Sequence, residues 1–284
     1  MLPDNNTVEY LQNRRYYKIQ TKVMAKLIFV ILFCQLFLPS AAHAEGTRAT
    51  TICVDVDPPP PGAIKRDANG KKIINVDGIS VDIVRAAFAH MGQKVEFTGE
   101  LPWNRCLREV ELGNIDFALG VYFNEERAKI YDFSTHYSTL TPQLFYLSSK
   151  RVSITQSSDF KNYRGCGIYG SSYAHYDLSP DRLDLGMDYD SLYRKLLAKR
   201  CDFFVEEWEA VFGSSTGKGF LANPLVVHTN LPWAKSPSRH LVTAKNGPNS
   251  ALLVQINAAL DFVIKSGAAE QAWKKSMGDI PYKP

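Results

Sequence analysis

Metal-ligand spacing is missing from this sequence: none of its five cysteines and six histidines falls in a C-x-x-C or H-x-x-x-H pattern, and metal binding gets no support from motif. A large excess of charge of one sign is lacking as well. The formal net charge is +4, from 33 Lys and Arg against 29 Asp and Glu, and residues 1–44 hold five of the basic and two of the acidic side chains. Beyond residue 44 the balance is 28 against 27, about +1, so nucleic acid is not an expected partner. An apolar run long enough to span a membrane comfortably is also lacking, since the stretch 27–38 has only twelve residues. What remains, 45% hydrophobic and 22% charged, is ordinary for a folded globular chain of one or two domains and excludes disorder.

That short apolar stretch has a specific context. Arg14, Arg15, Lys18, Lys22 and Lys26 precede it, and Pro39-Ser40-Ala41-Ala42-His43-Ala44 follows. A basic region, a short apolar core and a small-x-small site are the parts of a secretory signal, with cleavage expected after Ala44 and residues 1–44 forming the leader. Met24 would itself serve as a start, so residues 1–23 read as an over-extension of the frame. Cys34 lacks the small neighbour of a lipoprotein site. The 240 residues left after cleavage can bury roughly 70% of their unfolded surface, enough for two lobes.

Along those residues strands alternate with helices of about ten residues. A short strand at Ile52 to Val56 meets Asp57 and four prolines, and a helix through Val84, Ala87, Phe88 and Met91 closes at Gly92. Lys94 to Phe97 is the next strand. An amphipathic helix carrying Leu107, Val110 and Leu112 then ends at Gly113 and feeds an apolar strand, Ile115 to Val121. Asn124 can cap a second helix that begins at Glu125 and carries Arg127 in its first turn, where a guanidinium joins free backbone N–H groups in a setting suited to a carboxylate. Tyr137 to Ser148 reads as a crossover into a second, similar unit. There a strand at 163–169 opens into Gly170-Ser171-Ser172, a helix at 191–199 carries Leu192, Leu196 and Leu197, and a strand at 201–205 ends at Glu206-Glu207-Trp208. A return crossover is expected near Pro232 to Ser238, followed by a strand at 241–245 and helices at 250–264 and 268–277. Such alternation predicts an α/β fold of mainly parallel sheets.

The segment from Trp103 to Ser134 carries a resemblance. Gly113-Asn114-Ile115-Asp116, Glu126-Arg127 and Phe133-Ser134, spaced around an apolar strand, resemble the family 3 bacterial extracellular solute-binding proteins, and weaker echoes run from Thr51 to Met277. The resemblance implies the two-lobe periplasmic binding protein fold with a two-stranded hinge. Lobe 1 would be 45–141 with 235–284, and lobe 2 would be 142–234. It also implies a monomeric periplasmic protein with no cofactor, which captures a small polar ligand, an amino acid or related carboxylate, and delivers it to an inner-membrane ABC permease. Proteins similar to this family include periplasmic cyclohexadienyl dehydratases, so an enzyme on the same fold is one alternative; a free-standing ligand sensor is another.

In open α/β sheets ligands sit beyond the carboxyl ends of the strands. That rule selects a cleft between Asp55, Gly120 to Arg127, Ser171-Ser172 and Glu206-Glu207. By resemblance Arg127 clamps a ligand carboxylate, and the alternative is an ion pair with Glu126 or Asp132. Trp103 falls where relatives place a cleft aromatic, although an indole packed into the core fits equally well. Asp55 matches an acidic position of the first strand, or caps a turn. Ser171 and Ser172 match a hydroxyl turn, and Glu207 matches an acid that holds the ligand amine, unless Glu206 or Trp208 faces the cleft instead. Two departures stand out: the loop between Asp116 and Arg127 is one residue shorter than usual, and Tyr122 and Phe123 occupy it, which predicts a smaller or reshaped pocket. The four cysteines after the leader allow three pairings in an oxidising compartment, with buried free thiols as the alternative. The two-lobe topology favours Cys53 with Cys106 and Cys166 with Cys201.

Overall fold

The computed structural model describes residues 48–54, 64–66, 72–74, 76, 78–99 and 101–284; the leader, Cys34 and Asp55 lie outside the described residues. Strand β1 (Thr50–Val54) comes first, then a hairpin of β2 (Ile64–Arg66) and β3 (Lys72–Ile74), and then α1 (Ile79–His90). The helix starts at Ile79 because Ile79, Ile83, Val84, Ala87 and Phe88 already fall on one helical face, and all five are buried. Next come β4 (Val95–Thr98), α2 (Trp103–Glu111), β5 (Phe117–Tyr122), α3 (Glu125–Ile130), β6 (Tyr131–Phe133) and β7 (Ser138–Thr139).

The chain then builds a second sheet from β8 (Pro142–Leu147), β9 (Gly165–Ile168), β10 (Leu183–Gly186), β11 (Phe203–Glu207) and β12 (Val226–Asn230). Helices α4 (Tyr189–Leu197), α5 (Trp208–Phe212) and α6 (Ser215–Leu221) accompany it. Strand β13 (Ser238–Ala244) returns to the first sheet, and α7 (Leu252–Lys265) and α8 (Ala268–Met277) complete the chain. No single helix among the described residues is long and apolar enough to cross a membrane.

The first sheet has the order β4-β1-β5-β13-β6, with β7 also on β13, and the second has the order β10-β9-β11-β8-β12. Within each, the strands fed by helices are parallel: β4, β1 and β5 in one, β10, β9 and β11 in the other. The strands that run against these, β13 in the first sheet and β8 in the second, border the two stretches where the chain passes between sheets, and β12 pairs antiparallel with β8. The first passage is pinned to the second unit by a buried carboxylate. Glu209 accepts from Thr141 N (2.7 Å) and Thr141 Oγ1 (2.8 Å), while Trp208 N donates to Thr141 O (2.8 Å).

Both faces of both sheets are covered, which explains why the strands read as continuous apolar runs rather than as alternating patterns. Along β8 and β11, Leu144, Phe203 and Val205 enter one core cluster, while Phe145 and Phe204 enter the cluster on the other face. In the first unit Ile52, Val54, Phe117 and Leu119 pack under α1, α7 and α8, where Trp273 is 1% exposed. Cys53, Ala118 and Val121 face α2. Two leucines do not follow the expected pattern. Leu112 lies past the last turn of α2 and is exposed, and Leu197, the last residue of α4, is exposed where Leu192 and Leu196 are buried.

Two disulfides staple these layers. Cys53–Cys106 joins β1 to α2 with a Cα–Cα distance of 5.8 Å, and Cys166–Cys201 joins β9 to the turn before β11 at 5.7 Å. The aspartate of the G-N-I-D motif is structural as well. Asp116 accepts from Arg48 Nη2 (2.7 Å), Thr51 N and Thr51 Oγ1 (both 2.8 Å) and Asn249 Nδ2 (3.0 Å), tying the start of β5 to β1 and to the chain just before α7. Burial opposes its charge, but the bonds from Thr51, Arg48 and Asn249 prevail and hold its pKa below the ordinary value.

Candidate functional site

The carboxyl end of β5 is not a regular strand. Between His240 and Leu241 the register with β13 shifts, so that His240 opposes Val121 and Leu241 opposes Leu119, leaving Gly120 as the extra residue of a β-bulge. Gly120 has φ +87°, a conformation open to glycine at little cost. A bulge inverts the facing of every residue beyond it. Val121 accordingly joins the α2 face with Ala118, and Tyr122 packs against the opposite face.

From that position the phenol of Tyr122 reaches the second unit and donates to Glu207 Oε2 at 2.5 Å. Glu207, the last residue of β11, is fully buried. Its Oε1 accepts from Tyr176 OH (2.9 Å) and meets His175 Nε2 at 2.6 Å, both carried by a 3-10 turn at Ala174–Tyr176. An ionised carboxylate only accepts, so Nε2 carries the hydrogen. Burial works against the Glu207 charge, but the hydrogen bond and charge of His175, followed by bonds from Glu206 and Tyr122, outweigh it and hold the carboxyl well below the usual range. Burial above all, and then the same charge, pushes the Tyr122 and Tyr176 phenols far up, so both remain donors.

Arg127 lies alongside. Asn124 caps α3 by accepting from Arg127 N (2.8 Å), which fixes the first turn. The guanidinium donates through Nη1 to Tyr122 O (3.0 Å) and through Nη2 to Gly170 O (2.9 Å), thereby linking the two units. Asn124 Nδ2 adds a parallel link to Ser172 Oγ (2.9 Å). Burial pulls the Arg127 pKa down to about 10, with Tyr131 and Tyr122 acting in the opposite sense; at neutral pH the group stays charged.

The residues singled out in the sequence therefore separate. Arg127, Tyr122, Ser172 and Glu207 meet between the units. Ser171 forms the turn, its N–H donating to Ile168 O at 3.2 Å. Trp103 is 6% exposed and packs beside Cys53, Cys106 and Val121 in the α2 core, the core placement rather than the cleft wall. The Gly170-Ser171-Ser172 turn leads into the 3-10 turn and not into an α-helix, so the hydroxyl of Ser172, rather than a helix start, faces Asn124. The aromatic pair also divides. Tyr122 turns inward, whereas Phe123 is 57% exposed and packs edge-on against Phe133. Trp208 stacks on His228 and Phe212, away from Glu207. A G-x-S-x-G string at residues 213–217 caps α6, with Ser214 Oγ accepting from Gly217 N (2.9 Å), and follows no strand.

His175, Tyr176 and Arg239 carried no signal in the sequence. Arg239 sits on β13 directly opposite Tyr122. Burial opposes its charge, yet the nearby phenols of Tyr122, Tyr137 and Tyr189 and the Glu207 carboxylate overcome this and raise its pKa. Among the described residues no group of three or more His, Cys, Asp or Glu side chains could hold a metal ion.

Residues 50–279 match the sequence profile of the bacterial extracellular solute-binding proteins, family 3. No curated protein matches the chain. Among solved structures, a histidine kinase sensor domain with similarity to periplasmic binding proteins is 20% identical with a TM-score of 0.66, over 84% of this chain and 98% of that one. A substrate-binding protein of an ABC uptake transporter from Streptococcus pneumoniae, with bound histidine, is 18% identical with a TM-score of 0.63, over 81% and 93%. An ancestral amino-acid-binding protein, described as a precursor of cyclohexadienyl dehydratase, is 19% identical with a TM-score of 0.59, over 80% and 95%. At these identities the likeness is one of fold.

Proposed function

This chain belongs to the bacterial extracellular solute-binding proteins, family 3, and from that premise we propose that it captures a small carboxylate, an amino acid or a related acid, between its two lobes in the periplasm and delivers it to an inner-membrane ABC permease. The lobes are 45–141 with 235–284, and 142–234, acting as a monomer exported by the leader at 1–44. One observation carries the proposal: the partly buried, charged guanidinium of Arg127 lies where the carboxyl ends of β5 and β9 meet. It spends one N–H of Nη1 on Tyr122 O and one of Nη2 on Gly170 O. A guanidinium has five N–H donors, so three remain to grip an anion. Hinge bending at the two passages would bring Ser172 onto a ligand first held by Arg127.

The ionised state of Glu207 counts against Glu207 as the acid of an elimination. A dehydratase needs a protonated acid beside the leaving group, and Glu207 is an acceptor for three donors. A thermal-shift screen of the exported protein against amino acids and small carboxylates tests the proposal. A ligand at a hundred times its dissociation constant adds about 2.7 kcal/mol. Stabilisation should vanish in Arg127→Ala and weaken in Arg127→Lys, which keeps the charge without the fork. Equal stabilisation of the wild type and both variants would refute the carboxylate clamp.

A further inference from the structure

The carboxylate that the resemblance assigns to a ligand amine already serves the protein itself. Glu207 has no exposed surface, and an ionised carboxylate offers about four lone-pair sites. Tyr122 OH, Tyr176 OH and His175 Nε2 occupy three of them at 2.5–2.9 Å, one donor from the first unit and two from the second. The rings of Tyr122 and His175 meet edge to face at 5.7 Å and cover the group. The neighbouring acid, Glu206, is 5% exposed, and its Oε1 accepts from Glu207 N at 3.3 Å. An ammonium needs acceptors for three donors and a surplus of negative charge.

The same region also supplies two cations. Arg127 and Arg239 are both partly buried and both neighbour Tyr122: Arg127 donates through Nη1 to Tyr122 O, and Arg239 lies opposite Tyr122 across the β5–β13 pair. Arg239 is fixed in that position by the pairing of β13 with β5, opposite Tyr122 in the register. Two partly buried guanidiniums repel an ammonium and attract a second anionic group.

We infer that the cleft takes a carboxylate without an ammonium group, a small dicarboxylate first of all, with Arg127 and Arg239 as its two anchors and Glu207 as the hub of the contact between lobes. This rests on the small-carboxylate reading above and narrows it. The test uses matched pairs that differ at the amine: glutarate with glutamate, succinate with aspartate, and 3-phenylpropionate with phenylalanine. Affinities of the exported protein are measured by calorimetry for the wild type, Arg239→Gln and Glu207→Gln.

The expected result is that the deaminated member of a pair binds at least tenfold tighter than its amino acid. Arg239→Gln then removes the preference for dicarboxylate over monocarboxylate. Glu207→Gln leaves the ratio within each pair unchanged, even if closure weakens both members. Tighter binding of the amino acids, with Glu207→Gln cutting that member alone tenfold or more, would overturn the inference and leave the small-carboxylate reading standing. Binding of no member of any pair would overturn both.

Discussion

Replacing Tyr122 by Phe removes one hydroxyl and keeps the ring. In the wild type that hydroxyl is the first unit's donor to the buried carboxylate of Glu207, at 2.5 Å. A hydrogen bond to a charged group is worth about 1.5–3 kcal/mol, and a buried acceptor stripped of a donor keeps its desolvation penalty. Because the bond runs between the two units, the loss falls on the contact between lobes rather than on either core. The closed population should drop about 10- to 150-fold relative to the open one, the factor corresponding to that energy. Small-angle X-ray scattering would show a larger radius of gyration, and a ligand that selects the closed form would bind more weakly by up to the same factor. The variant also loses part of its sensitivity to acid. Glu207 has its folded pKa depressed, so its contribution is present above the unfolded value of about 4.3 and is lost as pH falls through the folded one. Without the Tyr122 bond the folded value rises towards the unfolded one, so the loss is smaller and is complete at higher pH. An unchanged scattering profile at pH 7 together with an unchanged acid transition would refute the assignment of Glu207 as the hub.

Cys53→Ala with Cys106→Ala should lower stability by about 4 kcal/mol in urea, from the loop entropy of a 53-residue separation, and the 35-residue pair Cys166 and Cys201 should cost nearly as much. Asp116→Ala strands the donors of Arg48, Thr51 and Asn249 and should cost on the order of 3 kcal/mol. The pKa of Asp116 is depressed, so its contribution is full above about pH 4 and is lost as pH falls through the folded value; acid titration of the wild type against Asp116→Asn measures it. Gly120→Ala meets no steric obstacle within 4 Å, so its cost should be the conformational one of about 1–2 kcal/mol at φ +87°. Its larger effect should be on ligand affinity, because the bulge aims Tyr122.

The elements legible in the sequence were those whose signals are local. The terminal helix α8 is bounded by Gly267 and Gly278 at left-handed positions, and α3 begins at an Asn124 cap that the structure reproduces. The strands β1, β5, β9 and β11 announced themselves as apolar runs. The extra strands did not: β10, with the pattern Leu183-Asp184-Leu185-Gly186, pairs only at the edge of its sheet, and α5 and α6 are too short for helical periodicity to declare itself. The antiparallel members could not be read either, because their direction is decided by where the chain passes between sheets, and no local residue pattern records that.

The site shows the same division at finer scale. Arg127 was legible because a cap, a helix start and a guanidinium fall within four residues. Tyr122 was visible only as an oddity of the loop, since its facing depends on a bulge that appears as an ordinary glycine in an apolar run. His175 and Tyr176 are carried by a three-residue 3-10 turn, and Arg239 sits on a strand that returns from the second unit. What unites these residues is Glu207, and nothing near it in the sequence names them. Its partners come from positions 122, 175 and 176, brought together by the end of one strand, a short turn and the packing of two sheets. A carboxylate matched by position to an amine site can therefore be committed elsewhere by residues 31 to 85 positions away.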